Sequence, residues 1–326
     1  MPPIITMPPR NSTMQPRADA LVWLITGCSS GFGLEFVYQI MARGDYVIAT
    51  ARDLSKVADL PIFAPLQSLH EVSLLQLDVT ASQESLNETI AEAIKIYGRI
   101  DVLVNNAGYV ALGGWEDLGY DGFVKQFETN VFGLLKVTNA VLPHMRERRS
   151  GTLVFMSSLS GWKGHEFCGA YAASKFAVEG MVEALHEEVK PLGIRTLLFE
   201  PGTFRTKLLS PDNVLGNVSQ IDDYKEESVR VLRAFANVDS KQRGDPAKAV
   251  KIIMDVVRNE TFDPLIKDEG PVTFSGVNEE HGTVKFRLPL GEDAYWTMKI
   301  KCEETLQMLS AWERVITSTD YMSTML

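Results

Sequence analysis

Cysteine is scarce in this chain. Cys28, Cys168 and Cys302 are its three, widely separated and with no Cys-x-x-Cys among them. An odd, scattered set is a poor disulfide framework, so the sequence points to a reducing compartment, the cytoplasm. Long apolar runs are missing as well. No stretch of about twenty apolar residues offers a transmembrane helix. The opening MPPIITMPPRNSTMQPRADA has no apolar run of signal-peptide length, although its Ser, Thr and Arg leave a weak organelle address open. Basic residues are outnumbered: 32 Lys and Arg face 42 Asp and Glu, a formal net charge of -10. A nucleic-acid-binding surface is usually basic, so this balance argues against one while leaving room for a local basic pocket. The five histidines, His70, His144, His165, His186 and His281, show no ligand spacing of the His-Glu-x-x-His kind, and no metal is expected.

What is present suffices for a large core: 326 residues, 45% hydrophobic and 23% charged. Four prolines among the first ten residues make 1–19 an irregular arm. From residue 20 the chain alternates apolar runs with amphipathic stretches. Strands are expected at 21–26, 46–50, 74–77, 101–104, 152–156 and 194–200. Helices are expected after the glycines to about Arg43, at 82–97, at 120–148 with Pro143 bending or ending it, and at 170–190. This alternation implies βαβ units, an α/β fold with one doubly wound parallel sheet, and a ligand crevice at the carboxyl ends of the strands. Beyond Pro201 the character changes. Residues 205–245 are polar with no clear strand, which suggests a substrate lid over about 203–245 built of short helices. A helix at 246–259, an irregular stretch at 260–285, a strand at 285–289 and a helix at 292–315 complete the chain, with a loose tail after Thr317. Residues 20–326 are read as one domain, of which about 260–326 is a C-terminal extension.

Three clusters carry chemistry. Gly27-Cys28-Ser29-Ser30-Gly31-Phe32-Gly33 stands between a strand and a helix, where glycines let backbone approach a pyrophosphate and the helix N-terminus offers unpaired N–H groups. The second strand ends Thr50-Ala51-Arg52-Asp53. An acid there would hold the ribose hydroxyls of NAD, and a guanidinium the 2′-phosphate of NADP. Arg52 favours NADP; Asp53 competes but reads more naturally as a helix N-cap. Tyr171 and Lys175 lie four residues apart on a helix and share a face. An ordinary phenol keeps its proton to about pH 10, and a fixed ammonium beside it would lower that value.

These residues, with Thr26, Asp78, Asn105-Asn106-Ala107-Gly108, Asn130, Ser158 and Pro201-Gly202, stand in the order and spacing of a known family over about residues 20–210. The chain resembles the short-chain dehydrogenases/reductases of the Tyr-Lys type, and within them the hydroxysteroid and retinol dehydrogenase-like branch. The pattern after about residue 270 looks like the C-terminal extensions of fungal members. The resemblance implies a Rossmann fold and NAD(P)(H) chemistry. Tyr171 would exchange a proton with the substrate oxygen, Ser158 would hydrogen-bond that oxygen, and Lys175 would hold the nicotinamide ribose and lower the pKa of Tyr171. Asn130 would hold a water near Lys175, or would simply tie two segments together as a buried asparagine. Asp78 and Val79, with Asn105 and Gly108, would serve the adenosine, and Asn106 would be structural. Pro201, Gly202, Thr203, the backbone of Phe204, and Thr206 would meet the carboxamide and pyrophosphate. Trp115, Trp162 and Phe167 could wall a bulky apolar substrate, and His165 could touch it. The expected activity is NADP(H)-dependent interconversion of a ketone and a secondary alcohol. An NAD-dependent retinol or steroid oxidase using Asp53 is the alternative, with a non-catalytic cofactor sensor behind it. The family's habit of pairing two long helices, here 120–148 and 170–190, implies a homodimer or homotetramer.

Overall fold

Val22–Ile25, four consecutive apolar residues, form strand β1 with every side chain buried. A strand covered on both faces need not alternate apolar with polar residues, and a sheet between two helical layers provides that setting. β2 (Tyr46–Ala51), β4 (Val102–Asn105) and β6 (Gly151–Met156) are built alike. With β3 (Val72–Gln76), β7 (Ile194–Pro201) and β9 (Arg287–Leu290) they form a sheet in the order β3-β2-β1-β4-β6-β7-β9, parallel at every pairing. The computed structural model describes residues 16–58, 60, 70–210, 214–260 and 286–321. The order grows outward from β1 in both directions, so the topological switch point lies between β1 and β4.

Strand alternation divides the core in two. Trp23, Ile25, Val47 and Ala49 face the layer made by α1 (Gly31–Ala42) and α8 (Pro246–Arg258). Val22, Leu24, Tyr46 and Ile48 face α3 (Gln83–Tyr97), α5 (Leu134–Arg148) and α6 (Gly169–Val189). Asp245 starts α8 by accepting from the N–H groups of Ala247 and Lys248, with Pro246 in the first turn where its missing N–H costs nothing. A short α2 (Ser55–Ala58) follows β2, and α9 (Glu292–Thr317) follows β9.

Two expectations are corrected. The predicted helix 120–148 is α4 (Trp115–Phe127, kinked at Gly119), a π-helical turn (Glu128–Gly133) and then α5, and Pro143 does not end it. Pro143 and Asn139, whose carbonyl loses its helical donor, are both exposed, so water can replace the missing bond. The predicted lid contains a strand after all, β8 (Val214–Gly216), and a long helix, α7 (Asp222–Val238) of 17 residues. β8 pairs in parallel with β5 (Val110–Leu112) as a second, two-stranded sheet. Of the expected irregular segments, 1–15, 261–285 and 322–326 lie outside the described residues. No helix among the described residues is long and apolar enough to cross a membrane.

Candidate active site

A cavity of about 860 Å³ opens at the carboxyl ends of β1, β2, β4, β6 and β7. Its floor is the glycine turn. Gly27 (φ 74°) and Gly31 (φ 58°) occupy the left-handed region. A Cβ on Gly27 would lie 2.9 Å from the Ala107 Cα, and one on Gly33 only 2.2 Å from the Gly27 carbonyl oxygen. Gly27, Ser29, Ser30, Gly31 and Phe32 line the cavity, whereas Gly33 stands outside it and lets α1 pack on the turn. Ser30 makes no side-chain cap bond and the first turn of α1 holds no acid. The helix therefore presents N–H groups and a positive dipole end to the cavity, which fits an anionic pyrophosphate. Asn106 braces the turn: its Nδ2 donates to the carbonyls of Thr26 (2.9 Å) and Gly27 (3.0 Å).

Ala51, Arg52, Asp78 and Val79 line the end of the cavity near β2 and β3. The Arg52 guanidinium makes no hydrogen bond or ion pair among the described residues and feels Asp53 only as a nearby charge. Asp53 is turned away. Its Oδ1 accepts from the N–H (3.0 Å) and Oγ (2.7 Å) of Ser55, bonds that hold the carboxyl below the ordinary carboxylate range. Asp78 Oδ1 makes the same pair of bonds to Thr80.

At the opposite end Ser158 stands just beyond β6 and Tyr171 in the first turn of α6, with the Ser158 hydroxyl near enough to the phenol to favour its ionised form. Lys175, one turn further, donates from Nζ to the Met156 carbonyl at 2.8 Å and sits 5.7 Å from the Tyr171 ring centroid. The neighbouring Ser157 donates instead to Glu179, on the far side of the strand. Pro201, Gly202, Thr203, Phe204 and Thr206 complete the wall, with Gly108. Thr203 is gripped from outside: its N–H and its hydroxyl both donate to Asp293 Oδ2 at 2.7 Å.

The expectation that Lys175 lowers the Tyr171 phenol is not met by the protein alone. Burial pushes the phenol up, and the Ser158 hydroxyl only partly opposes it. Burial also pushes Lys175 down to about 8, with the Glu179 charge opposing. Asn105 and Asn130 also lie outside the cavity. Asn105 is buried and donates to Thr138 Oγ1 at 3.0 Å. Asn130, in the π-turn, accepts from the Tyr109 N–H (3.2 Å) and donates to the Tyr109 carbonyl (3.1 Å) and Ser174 Oγ (3.3 Å). Its amide is thus committed to tying α6, the π-turn and the start of β5 together.

The apolar wall differs from the one expected. Trp115 is exposed and packs on Phe123 (4.9 Å between centroids), Trp162 donates to Glu200, and Phe167 is outside the cavity. The wall is made instead by Tyr109, Val110, Leu159, Cys168, Leu208, Leu209 and by Phe235 of α7, with His165 among them. No sequence signal marks these residues, because they converge from five separate segments.

The same frame recurs in known proteins. The short chain dehydrogenase family model matches residues 21–214. YusZ, an uncharacterized oxidoreductase of Bacillus subtilis (strain 168), is 35% identical over 298 residues, covering 90% of this chain and 96% of its own. Human 17-beta-hydroxysteroid dehydrogenase type 1 is 37% identical over 209 residues, 62% of each chain. The crystal structure of a short-chain dehydrogenase from Streptomyces avermitilis matches with a TM-score of 0.76 at 35% identity, covering 93% of this chain and all of that one. A glycine turn, a Tyr-Lys helix and a seven-stranded parallel sheet in this order, matched along most of the chain, make it a member of the short-chain dehydrogenase/reductase family, oxidoreductases that use nicotinamide cofactors.

Proposed function

We propose that the chain is an NADP(H)-dependent oxidoreductase that interconverts a ketone and a secondary alcohol on an apolar, polycyclic-sized substrate. The observation that carries this is the Tyr171–Ser158 hydroxyl pair at the cavity wall, backed one helical turn away by Lys175. Two hydroxyls converging beside an apolar wall suit one polar oxygen on an otherwise greasy molecule.

A bound nicotinamide cofactor supplies the hydride chemistry. The α1 N-terminus with Ser29, Ser30, Gly31 and Phe32 would hold its pyrophosphate. Asp78, Val79 and Gly108 would hold the adenosine, Lys175 the nicotinamide ribose, and Pro201, Gly202, Thr203, Phe204 and Thr206 the nicotinamide end. Arg52 would pair with the 2′-phosphate, which is why NADP is preferred. In reduction Ser158 hydrogen-bonds the carbonyl oxygen and polarises it, while Tyr171, protonated at neutral pH because it is buried, delivers the proton. In oxidation Tyr171 takes the proton back, which requires a further positive charge near the phenol. Asn130 contributes by positioning the π-turn against α6. The same reading places the protein in the cytoplasm as a homodimer or homotetramer, and the exposed Phe132, Leu135 and Phe176 on the helices concerned support the pairing.

The test is turnover of a ketone panel with NADPH by wild type and Tyr171→Phe. The variant is expected to lose about 10²–10⁴-fold in rate and to keep its NADPH affinity. Equal rates would remove the mechanism. Should NADH bind more tightly than NADPH, an NAD-dependent oxidase replaces this reading.

A further inference from the structure

Two carboxyl groups are buried together behind Lys175, on the side away from the cavity. Glu179 lies one turn beyond Lys175 on α6, and Glu200 is the penultimate residue of β7 and completely buried. Glu179 Oε1 accepts from the Ser157 hydroxyl, and Glu200 Oε1 accepts from Trp162 Nε1 at 2.9 Å. Their second oxygens, Glu179 Oε2 and Glu200 Oε2, are buried with no donor from other described groups. The two carboxyls stand close enough to interact, and burial raises both, Glu200 to about 8, so at neutral pH the pair holds a proton.

The charges around the pair decide where that proton rests. Arg287 of β9 stands 3.8 Å from Glu179 Oε2, 3.9 Å from Glu200 Oε1 and 3.2 Å from the exposed Glu183, with its guanidinium over the Trp162 ring. Lys301 of α9 closes the outside by donating to the Trp162 carbonyl. Burial raises the Glu179 carboxyl, but the Ser157 hydroxyl, Arg287 and the Lys175 ammonium all oppose that rise and favour its ionised form. Glu200 is wholly buried beside that charge, so the proton stays on Glu200 and Glu179 is the acceptor.

We propose that Glu179, kept ionised by the proton held on Glu200, is a positioning residue that keeps Lys175 charged and anchors the strand end bearing Ser158. The inference rests on the functional reading above, in which the Lys175 ammonium holds the cofactor ribose. Glu179 is the charge that opposes the downward push of burial on Lys175. Without it the ammonium would lose its proton near neutral pH.

The experiment fixes the proton on each member in turn. NADPH affinity is measured by fluorescence titration from about pH 6 to about pH 9.5, alongside turnover and melting, for wild type, Glu179→Gln and Glu200→Gln. Wild-type affinity is expected to weaken as pH rises through about 8, where Lys175 loses its charge. Glu179→Gln should move that midpoint down by about one pH unit. Glu200→Gln imitates the protonated Glu200 and should leave it in place. The inference is overturned if the Glu179→Gln midpoint coincides with that of wild type, or if Glu200→Gln moves it equally, as a purely structural role would. Arg287→Met keeps both carboxyls and should shift the midpoint in the Glu179→Gln direction; where Glu179→Gln does not fold, an unmoved Arg287→Met midpoint overturns the inference. Wild type that binds neither NADPH nor NADH sinks the functional reading and this inference with it, whereas binding and turnover with an unmoved midpoint sink this inference alone.

Discussion

Lys175 donates to the carbonyl oxygen of Met156 at 2.8 Å, and so is fixed to the end of the strand that leads to Ser158. One hydrogen bond does not offset the burial of an ammonium, and the group falls from 10.5 to about 8. The sign of the stability effect follows. Below about pH 8 Lys175 is charged in both the folded and unfolded states, and folding carries the full burial cost. Between about 8 and 10.5 the unfolded chain keeps a proton that the folded chain has shed, so the cost fades as pH rises. Lys175→Met should therefore lose turnover yet be more stable at pH 7 by on the order of 2 kcal/mol. The gain should vanish above about pH 10.5 in melts run across that range. A variant less stable than wild type at neutral pH would mean that the Met156 bond outweighs the burial.

Arg52 should decide between the two nicotinamide cofactors. Its guanidinium makes no bond to other described residues, so removing it leaves nothing buried or unpaired in the protein. A charge-assisted hydrogen bond contributes about 1.5–3 kcal/mol. Arg52→Ala is therefore expected to weaken NADPH about 10–100-fold with NADH affinity unchanged, and titration by intrinsic tryptophan fluorescence measures both. Equal weakening of the two would assign Arg52 to general charge, and no change would return the role to Asp53.

The sheet was legible because apolar runs such as Val22–Ile25 and Ile194–Pro201 carry their burial in their composition, and the helices because 82–97 and 170–190 keep a 3.6-residue period. The paired strands Val110–Leu112 and Val214–Gly216 were not. Three residues show no period, and their partners lie about a hundred residues apart. Motif spacing located the cavity, yet it could not separate residues that face it from those that hold it together. Gly33 and Asn105 belong to the same sequence motifs as Gly31 and Gly108 but spend themselves on packing and on Thr138. The long helix widens into a π-turn at Glu128–Gly133, where no proline marks it, while the conspicuous Pro143 rides an exposed face. Arg287 and Asp293 reach the site from beyond residue 285 and carried no local signal at all.

Gly33 provides a test of the floor. Its missing Cβ is what lets α1 begin against the Gly27 carbonyl, and an added methyl would come within 2.2 Å of that backbone oxygen. Neither side can yield cheaply, since Asn106 Nδ2, which donates to the same Gly27 oxygen, would itself lie 2.7 Å from the new methyl. Gly33→Ala should cost about 2–4 kcal/mol and abolish cofactor binding. Gly98→Ala, at a helix end with nothing within 4 Å of the new methyl, should cost only about 1 kcal/mol, from its positive φ alone. Chemical denaturation of the two side by side separates steric from conformational cost.

Asp293, from the start of α9, grips the loop after β7. It receives both donors of Thr203, its Oδ1 accepts from the Ala294 N–H at 3.0 Å, and a Cβ on Gly202 would fall 1.9 Å from that Oδ1. The loop between Gly202 and Thr206 therefore takes its position from the C-terminal segment as well as from the sheet. Removing the carboxylate frees two donors at the edge of the cavity, for which about 1–3 kcal/mol is the expected loss. Because the same loop carries Phe204 and Thr206, Asp293→Ala should also raise the dissociation constant for NADPH by about 3–10-fold. Asp293→Asn keeps an oxygen that can accept from Thr203 and should recover most of both. Lowered stability with an unchanged dissociation constant would reduce α9 to a brace that leaves the site's geometry to the sheet.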